Sequence, residues 1–288
     1  MSGPEAGSSS SPAPVPLRIE RAGPDGVVAR VVLARPERRN ALDAASIAAL
    51  GEAFWSLADE APATLRAVVL AGDGRAFCAG ADIAWMRAAM ALSNEENVED
   101  ALGLADTLAA IDACPVPVVV RVQGAALGGG AGLCAVGDVV VAEAGARFGF
   151  PEVRLGLVGA TIAPFVVRRI GVGATRALFA TGERVDAAEA RRIGLVHHVA
   201  DGEAALDATV DRVVADILAG GPEAVRAAKA LAREVAAAAA GGQEAMLRLG
   251  MRTAEVLASR RASAEAAEGL AAFEGRRRPS WAPPEGSE

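Results

Sequence analysis

Lysine is almost absent from this 288-residue chain, with Lys229 the only one, so nearly all positive charge rests on arginine. Imine chemistry is thereby confined to one candidate amine, and anion recognition is left to guanidinium groups, backbone N–H groups or that single ammonium. Histidine is nearly as scarce. His197 and His198 stand side by side in GLVHHVADG without the further ligands of a zinc centre, so no metal site is expected. The three cysteines, Cys78, Cys114 and Cys134, are odd in number, widely spaced and set among apolar or small residues. They read as buried free thiols in a reducing, cytoplasmic compartment and not as a disulfide framework. Aromatic residues make up only 3% of the chain. No uninterrupted apolar run reaches the roughly 18 residues of a membrane span, because charged residues break every long hydrophobic stretch. Acidic residues outnumber basic ones 36 to 29, a formal charge of −7 that argues against a nucleic-acid partner.

What is abundant is apolar material. Hydrophobic residues are 52% of the sequence, enough for a sizeable core and far from the composition of a disordered chain. Residues 1–16, MSGPEAGSSSSPAPVP, form an expected disordered tail without a secretory signal, and 282–288 a second one. Between them, 17–215 reads as one α/β core and 216–281 as a helical extension rich in helix formers. Valine-rich runs at 26–34, 65–72, 115–124 and 139–144 predict buried strands. AASIAALGEAFWSLADE and VEDALGLADTLAAIDAC have helical spacing between them, with Trp55 and Leu104 expected as core contacts. AAKALAREVAAAAAGG should stay helical until Gly241 and Gly242 interrupt it.

Three segments can carry chemistry. In GDGRAFCAGADIAWM, a strand gives way to small residues and then to a helix starting near Asp82. Ala79, Gly80 and Ala81 there offer backbone donors that a carbonyl oxygen could approach, while Asp82 is equally suited to a helix cap. In VQGAALGGGAGLCAVGD, Gly128, Gly129 and Gly130 lead from a strand into a helix whose first N–H groups could hold a developing oxyanion. The spacing is not the dinucleotide fingerprint, and close helix-to-sheet packing would equally use these glycines. Asp138, after that helix, reads as a turn-stabilising carboxylate. The third segment is FGFPEVRLGL, where Glu152 follows Pro151 in apolar surroundings and could move protons, with Arg154 placed either in the pocket or at the surface.

RRNALD at 38–43, AFCAGADI at 76–83, VQGAALGGGAGL at 122–133, FGFPEVRLGL at 148–157 and ATGERVDAAEARRIGLVHHV at 180–199, in that order, resemble the enoyl-CoA hydratase/isomerase, or crotonase-like, superfamily. The resemblance covers about 17–281. It implies an α/β fold built as a spiral of β-β-α units, a C-terminal helical region for trimerisation and pocket covering, and a homotrimer or homohexamer. It also implies an acyl-CoA substrate, with coenzyme A part of that substrate and no separate cofactor. The thioester oxygen would be held by the N–H groups of Ala81 and Gly129, with coenzyme A passing along Ala79, Gly80, Ala81, Asp82 and Ile83. Glu152 matches the family's proton-exchanging glutamate. The position of the second, water-handling glutamate is Gly132, so the two-carboxylate mechanism does not transfer intact.

The combination ADIAWM, SNEEN, RVQGAALGGGAGL and EVRLGLVGATIAPFVVRRIG is similar to a bacterial methylglutaconyl-CoA hydratase-like branch. Hydration of an α,β-unsaturated acyl-CoA, with 3-methylglutaconyl-CoA as a candidate, is the expectation. Its alternatives are a Δ3-to-Δ2-enoyl-CoA isomerase using Glu152 alone and a noncatalytic acyl-CoA-binding protein. Trp85, Met86 and Met90 are candidate acyl-pocket residues with Gly132, and Phe273 a candidate pocket cover. Arg87 suits either a distal substrate carboxylate or solvent, and Arg276 or Arg277 a phosphate. Glu95, Glu96, Glu99 and Asp100 read as a solvated helix start.

Overall fold

The computed structural model describes residues 16–60, 64–238 and 242–282; of the expected tails, 1–16 and 282–288, all but Pro16 and Ala282 lie outside these. An antiparallel pair, β1 (Leu17–Ala22) and β2 (Val28–Leu33), is followed by helix α1 (Ala44–Glu60) and strand β3 (Ala67–Gly72). Helices α2 (Ile83–Ala89) and α3 (Asn94–Ala113) lead to β4 (Val118–Val122), β5 (Ala125–Leu127) and α4 (Gly129–Val136). The pattern repeats as β6 (Val139–Glu143), β7 (Arg147–Gly149) and α5 (Ala163–Thr181), and β8 (Arg184–Asp186), α6 (Ala187–Arg192) and β9 (His198–Ala200) follow. Helices α7 (Glu203–Ala219), α8 (Pro222–Ala238), α9 (Gly242–Arg261) and α10 (Ala264–Glu274) complete the chain.

Six strands form one sheet in the order β1-β2-β3-β4-β6-β9, parallel from β2 onward, and β5-β7-β8 form a second. The chain steps from the large sheet to the small one at β4 to β5 and at β6 to β7, each time entering a helix. This is the β-β-α spiral, with its helical C-terminal region. All residues of β3 and β4 are buried, as fits valine-rich strands covered on both faces. One face packs against α1, α3, α4 and α5 in the main apolar cluster; the other packs under α7 through Val69, Val119, Leu206, Val210 and Leu218.

Helix α1 buries Ile47, Leu50, Phe54 and Leu57 on one stripe. Trp55 departs from expectation: one position past Phe54 it is turned about 100° off that stripe and is 59% exposed. Leu104 does pack against the main cluster, partly buried. Helix α7 runs unbroken from Glu203 to Ala219, across the expected 215/216 boundary, and its Leu218 packs in the second cluster. Helix α8 ends at Ala238 and α9 starts at Gly242, with Gly241 outside the described residues. The end of the chain is anchored up to Trp281: Arg66 donates to the Trp281, Leu218 and Gly220 carbonyls, and Trp281 Nε1 to the Ala219 carbonyl. Among the described residues no helix is long and apolar enough to cross a membrane.

Candidate active site

Where β3 ends, the chain is stitched to the 35–43 loop. Asn40, buried and in the left-handed region at φ 54°, accepts from the Arg35 N–H and donates to the Asp73 and Ala76 carbonyls, each at 2.9 Å. Leu42 then bridges the next segment: its N–H donates to the Gly80 carbonyl and its carbonyl accepts from the Asp82 N–H, both at 2.8 Å. Alternation along an extended segment therefore turns the N–H of Ala81, between those two, to the opposite side. Neither Asn40 nor Leu42 stands out as a positioning residue in the sequence. A signal for Asn40 is nonetheless there, since asparagine is among the residues other than glycine that most readily take a left-handed turn, and its side chain bonds locally.

Ala79 is corrected as a donor, because its N–H is spent on the Arg39 carbonyl at 3.0 Å. Asp82 takes the cap role: its carboxylate accepts from the N–H groups of Ala84 and Trp85 at the start of α2. Ile83, the first residue of α2, is 57% exposed.

The glycines of the second motif separate by task. Gly128 stands at φ 52°, ψ −120°, a backbone state essentially restricted to glycine, and delivers the chain from β5 into α4. Gly129 is the first residue of α4, so its N–H has no acceptor within the helix. Gly130 serves packing instead: a Cβ there would lie 2.5 Å from the Cys78 carbonyl oxygen. Gly80 lies against this turn, since its Cβ would sit 2.9 Å from the Leu127 carbonyl oxygen. The Ala81 and Gly129 donors are thus presented by touching segments.

Glu152 completes the cluster. It sits in the short 3-10 turn Pro151–Leu155, and a Cβ on Gly128 would stand 2.8 Å from its Oε1. Its Oε2 is buried with no hydrogen-bond partner. Burial raises the carboxyl above its ordinary value, opposed only by a bond to its own backbone. Arg154 takes the surface position and does not offset this. A protonatable group beside two outward N–H donors can exchange protons with a carbon acid whose charge those donors stabilise.

At the second carboxylate position the space is filled. A Cβ on Gly132 would meet Ile162 Cγ2 at 2.5 Å, with Leu108 Cδ2 at 3.9 Å. Trp85 is fixed as packing: its Nε1 donates to Asp100 at 3.2 Å and its ring lies against the main cluster, so Asp100 is a partner of α2 and not a solvated helix start. Glu96 is the capping-box residue of α3, paired reciprocally with Ser93. Met86 is half-buried, while Met90 is 85% and Phe273 83% exposed. Phe273 therefore does not close this chain's own pocket. Arg87 is exposed, and Arg277 is held by Glu268 at 2.7 Å. Asp138 is structural, accepting from the Val118 N–H at 2.7 Å and from Lys229 at 2.6 Å.

The enoyl-CoA hydratase/isomerase family profile matches residues 24–284. The chain belongs to this family. A crotonyl-CoA hydratase of Syntrophomonas wolfei is 36% identical over 201 residues, covering 69% of this chain and 75% of that relative. A Mycobacterium tuberculosis protein named as a (7aS)-7a-methyl-1,5-dioxo-2,3,5,6,7,7a-hexahydro-1H-indene-carboxyl-CoA hydrolase is 37% identical over 183 residues, 62% of this chain and 72% of its own. The structure of Pseudomonas aeruginosa AtuE superposes with a TM-score of 0.85 at 37% identity, covering 93% of this chain and 99% of that one. This hydratase/isomerase family member is an enzyme, which removes the noncatalytic alternative. A hydrolase among the relatives shows that this family's fold does not by itself fix the reaction.

Proposed function

We propose that this enzyme is an acyl-CoA lyase of the enoyl-CoA hydratase type, adding water reversibly across an α,β-unsaturated thioester, with 3-methylglutaconyl-CoA the first substrate to try. This reading rests on one juxtaposition: the half-buried Glu152 carboxylate, its Oε2 buried and without a hydrogen-bond partner, against Gly128 and next to the helix-end N–H of Gly129. The Ala81 and Gly129 donors receive the thioester oxygen and bind it more tightly as it gains enolate charge, which lowers the barrier and not merely the Michaelis constant. Glu152 takes a proton from water as the C–O bond forms at the β-carbon, then delivers a proton to the α-carbon. Coenzyme A runs along Gly80 to Ile83, with Trp85 as a fixed wall and Met86 and Met90 as adaptable acyl contacts. A homotrimer or homohexamer would give the exposed Phe273 a neighbouring copy to cover.

A second reading is favoured by the apolar plug of Ile162 at Gly132, which leaves Glu152 as the single carboxylate. In a Δ3-to-Δ2 isomerase Glu152 removes the α-proton and returns it to the γ-carbon, with no net water. Purified enzyme incubated with 3-methylglutaconyl-CoA and with a Δ3-enoyl-CoA in heavy-oxygen water separates the two. Gain of one water carrying the heavy isotope means hydration; mass-neutral conversion of the Δ3 substrate means isomerisation. Turnover undiminished in Glu152→Gln would sink both.

A further inference from the structure

At the other end of β4 from the Gly129 turn, the α3-to-β4 connection, α8 and α9 border an open cavity of about 460 Å³. Five basic side chains line it, Arg226, Lys229, Arg233, Arg252 and Arg260, against two acidic ones, Glu223 and Glu255. In a chain of net charge −7 with one lysine, this gathers basic side chains in one place, and the lysine is part of it. Small residues, Ala113, Ala227 and Ala230, keep the space open.

Most of these cations already have a carboxylate. Lys229 donates to Asp138 at 2.6 Å and to the Val116 carbonyl at 2.9 Å, and its side chain is 8% exposed. Arg233 pairs with Asp112, which Arg168 also holds, Arg252 pairs with Glu234, and Arg226 with Glu223. Two donors remain. Arg226 Nε and Arg260 Nη1 are buried without any hydrogen-bond partner, and Arg260 has no ion pair among the described residues. A guanidinium nitrogen can only donate, so burying one without an acceptor is costly, and both belong to side chains that line this cavity, where one ligand could supply the missing acceptors once those side chains turn toward it. The N-terminus of α8 does not supply the attraction, because Glu265 already accepts from the Glu223 and Ala224 N–H groups there. Arg260 is the lining cation left without a carboxylate among the described residues.

We propose that this cavity binds a small phosphorylated molecule through its phosphoryl oxygens, with Arg226 and Arg260 as the primary ligands and the spare donor of Lys229 as a third. A single carboxylate has only two oxygens to offer to donors carried by two different helices. A phosphoryl or pyrophosphoryl group presents several acceptors to arginine forks from two helices at once. The site is separate from Glu152 and does not depend on the reaction assigned to it.

The test is calorimetric titration of the full chain, at low and at physiological salt, with inorganic pyrophosphate and with ADP, each with and without saturating coenzyme A. The expected result is one saturable site per chain, weakened at higher salt, retained with coenzyme A, and weakened at least tenfold in Arg260→Gln and in Arg226→Gln. Tighter binding of ADP than of pyrophosphate would show that the rest of the cavity receives the group carrying the phosphates; equal binding would show that the phosphoryl oxygens suffice. Absence of saturable heat, displacement by coenzyme A, or unchanged affinity in a folded Arg260→Gln protein would overturn the proposal. Sedimentation of the same variants adds a further check: a shift in oligomeric state without pyrophosphate binding would mean that a second copy fills the cavity, which also overturns it.

Discussion

Gly128 and Glu152 share one space: the carboxylate oxygen lies 2.8 Å from where a Cβ on the glycine would be. The carboxylate is therefore placed by the absence of a side chain. Gly128→Ala should both strain the backbone at φ 52° and push Glu152 aside. A displacement on the order of 1 Å costs about 100-fold in rate. Steady-state kinetics should show that loss in kcat with coenzyme A affinity largely kept; equal activity would mean that Glu152 does not work from this position.

Glu152→Gln should lower kcat by about 100- to 10,000-fold, the usual span for removing an acid or base. Its stability should move the other way. The folded-state pKa of Glu152 lies above its unfolded value, so the folded state binds the extra proton between the two, and the cost of the buried charge is present above the folded value. Thermal denaturation should therefore find Glu152→Gln at least as stable as the parent at neutral pH. That margin should shrink as pH falls through the folded pKa. A variant less stable at neutral pH than at acid pH relative to the parent would contradict this.

Restoring a glutamate at position 132 should not restore a two-carboxylate site. Gly132→Ala alone meets Ile162 at 2.5 Å, and overpacking of this kind costs about 1–3 kcal/mol. Gly132→Glu should lose more and gain no activity. The double change Gly132→Glu with Ile162→Ala should recover part of the denaturant midpoint lost by the single change. If it recovers none, the clash is not with Ile162.

How far residue order alone reaches differs from element to element. Periodicity suffices for α1, and unbroken valine runs suffice for β3 and β4, because those elements are long and bury the faces their patterns announce. The three-residue strands β5, β7, β8 and β9 are too short to carry a period, and they exist through pairing with distant segments. Glu152 and the Gly128 turn are visible in the sequence, yet the loss of Ala79 as a donor depends on Arg39, 40 positions away, meeting its N–H. Trp55 departs because its residue type suggests burial while its helix angle places it outside. The cation cavity has no sequence signature, since more than 100 residues separate Pro115 from α8 and α9 and only tertiary packing collects their charges.

His197 should limit stability at acid pH. Its Nδ1 accepts from the Val140 N–H at 2.8 Å, which puts the proton of the neutral ring on Nε2, 3.3 Å from Arg169 Nη1. A second proton would have to enter at Nδ1, breaking the bond to Val140 and placing an imidazolium beside a guanidinium. Burial first, then the charges of Arg169 and His198, hold its pKa below 6.5, with Asp138 opposing. The unfolded chain thus takes up the proton before the folded one, so stability is lost as pH falls from about 6.5 toward the folded value. His197→Asn keeps an acceptor for Val140 and cannot titrate. Urea midpoints measured from pH 7.5 down to about 5 should fall less steeply in this variant than in the parent, with the remaining slope carried by His198 and the carboxylates. Parallel slopes would mean that His197 charges in place, and that the Val140 bond does not hold it neutral.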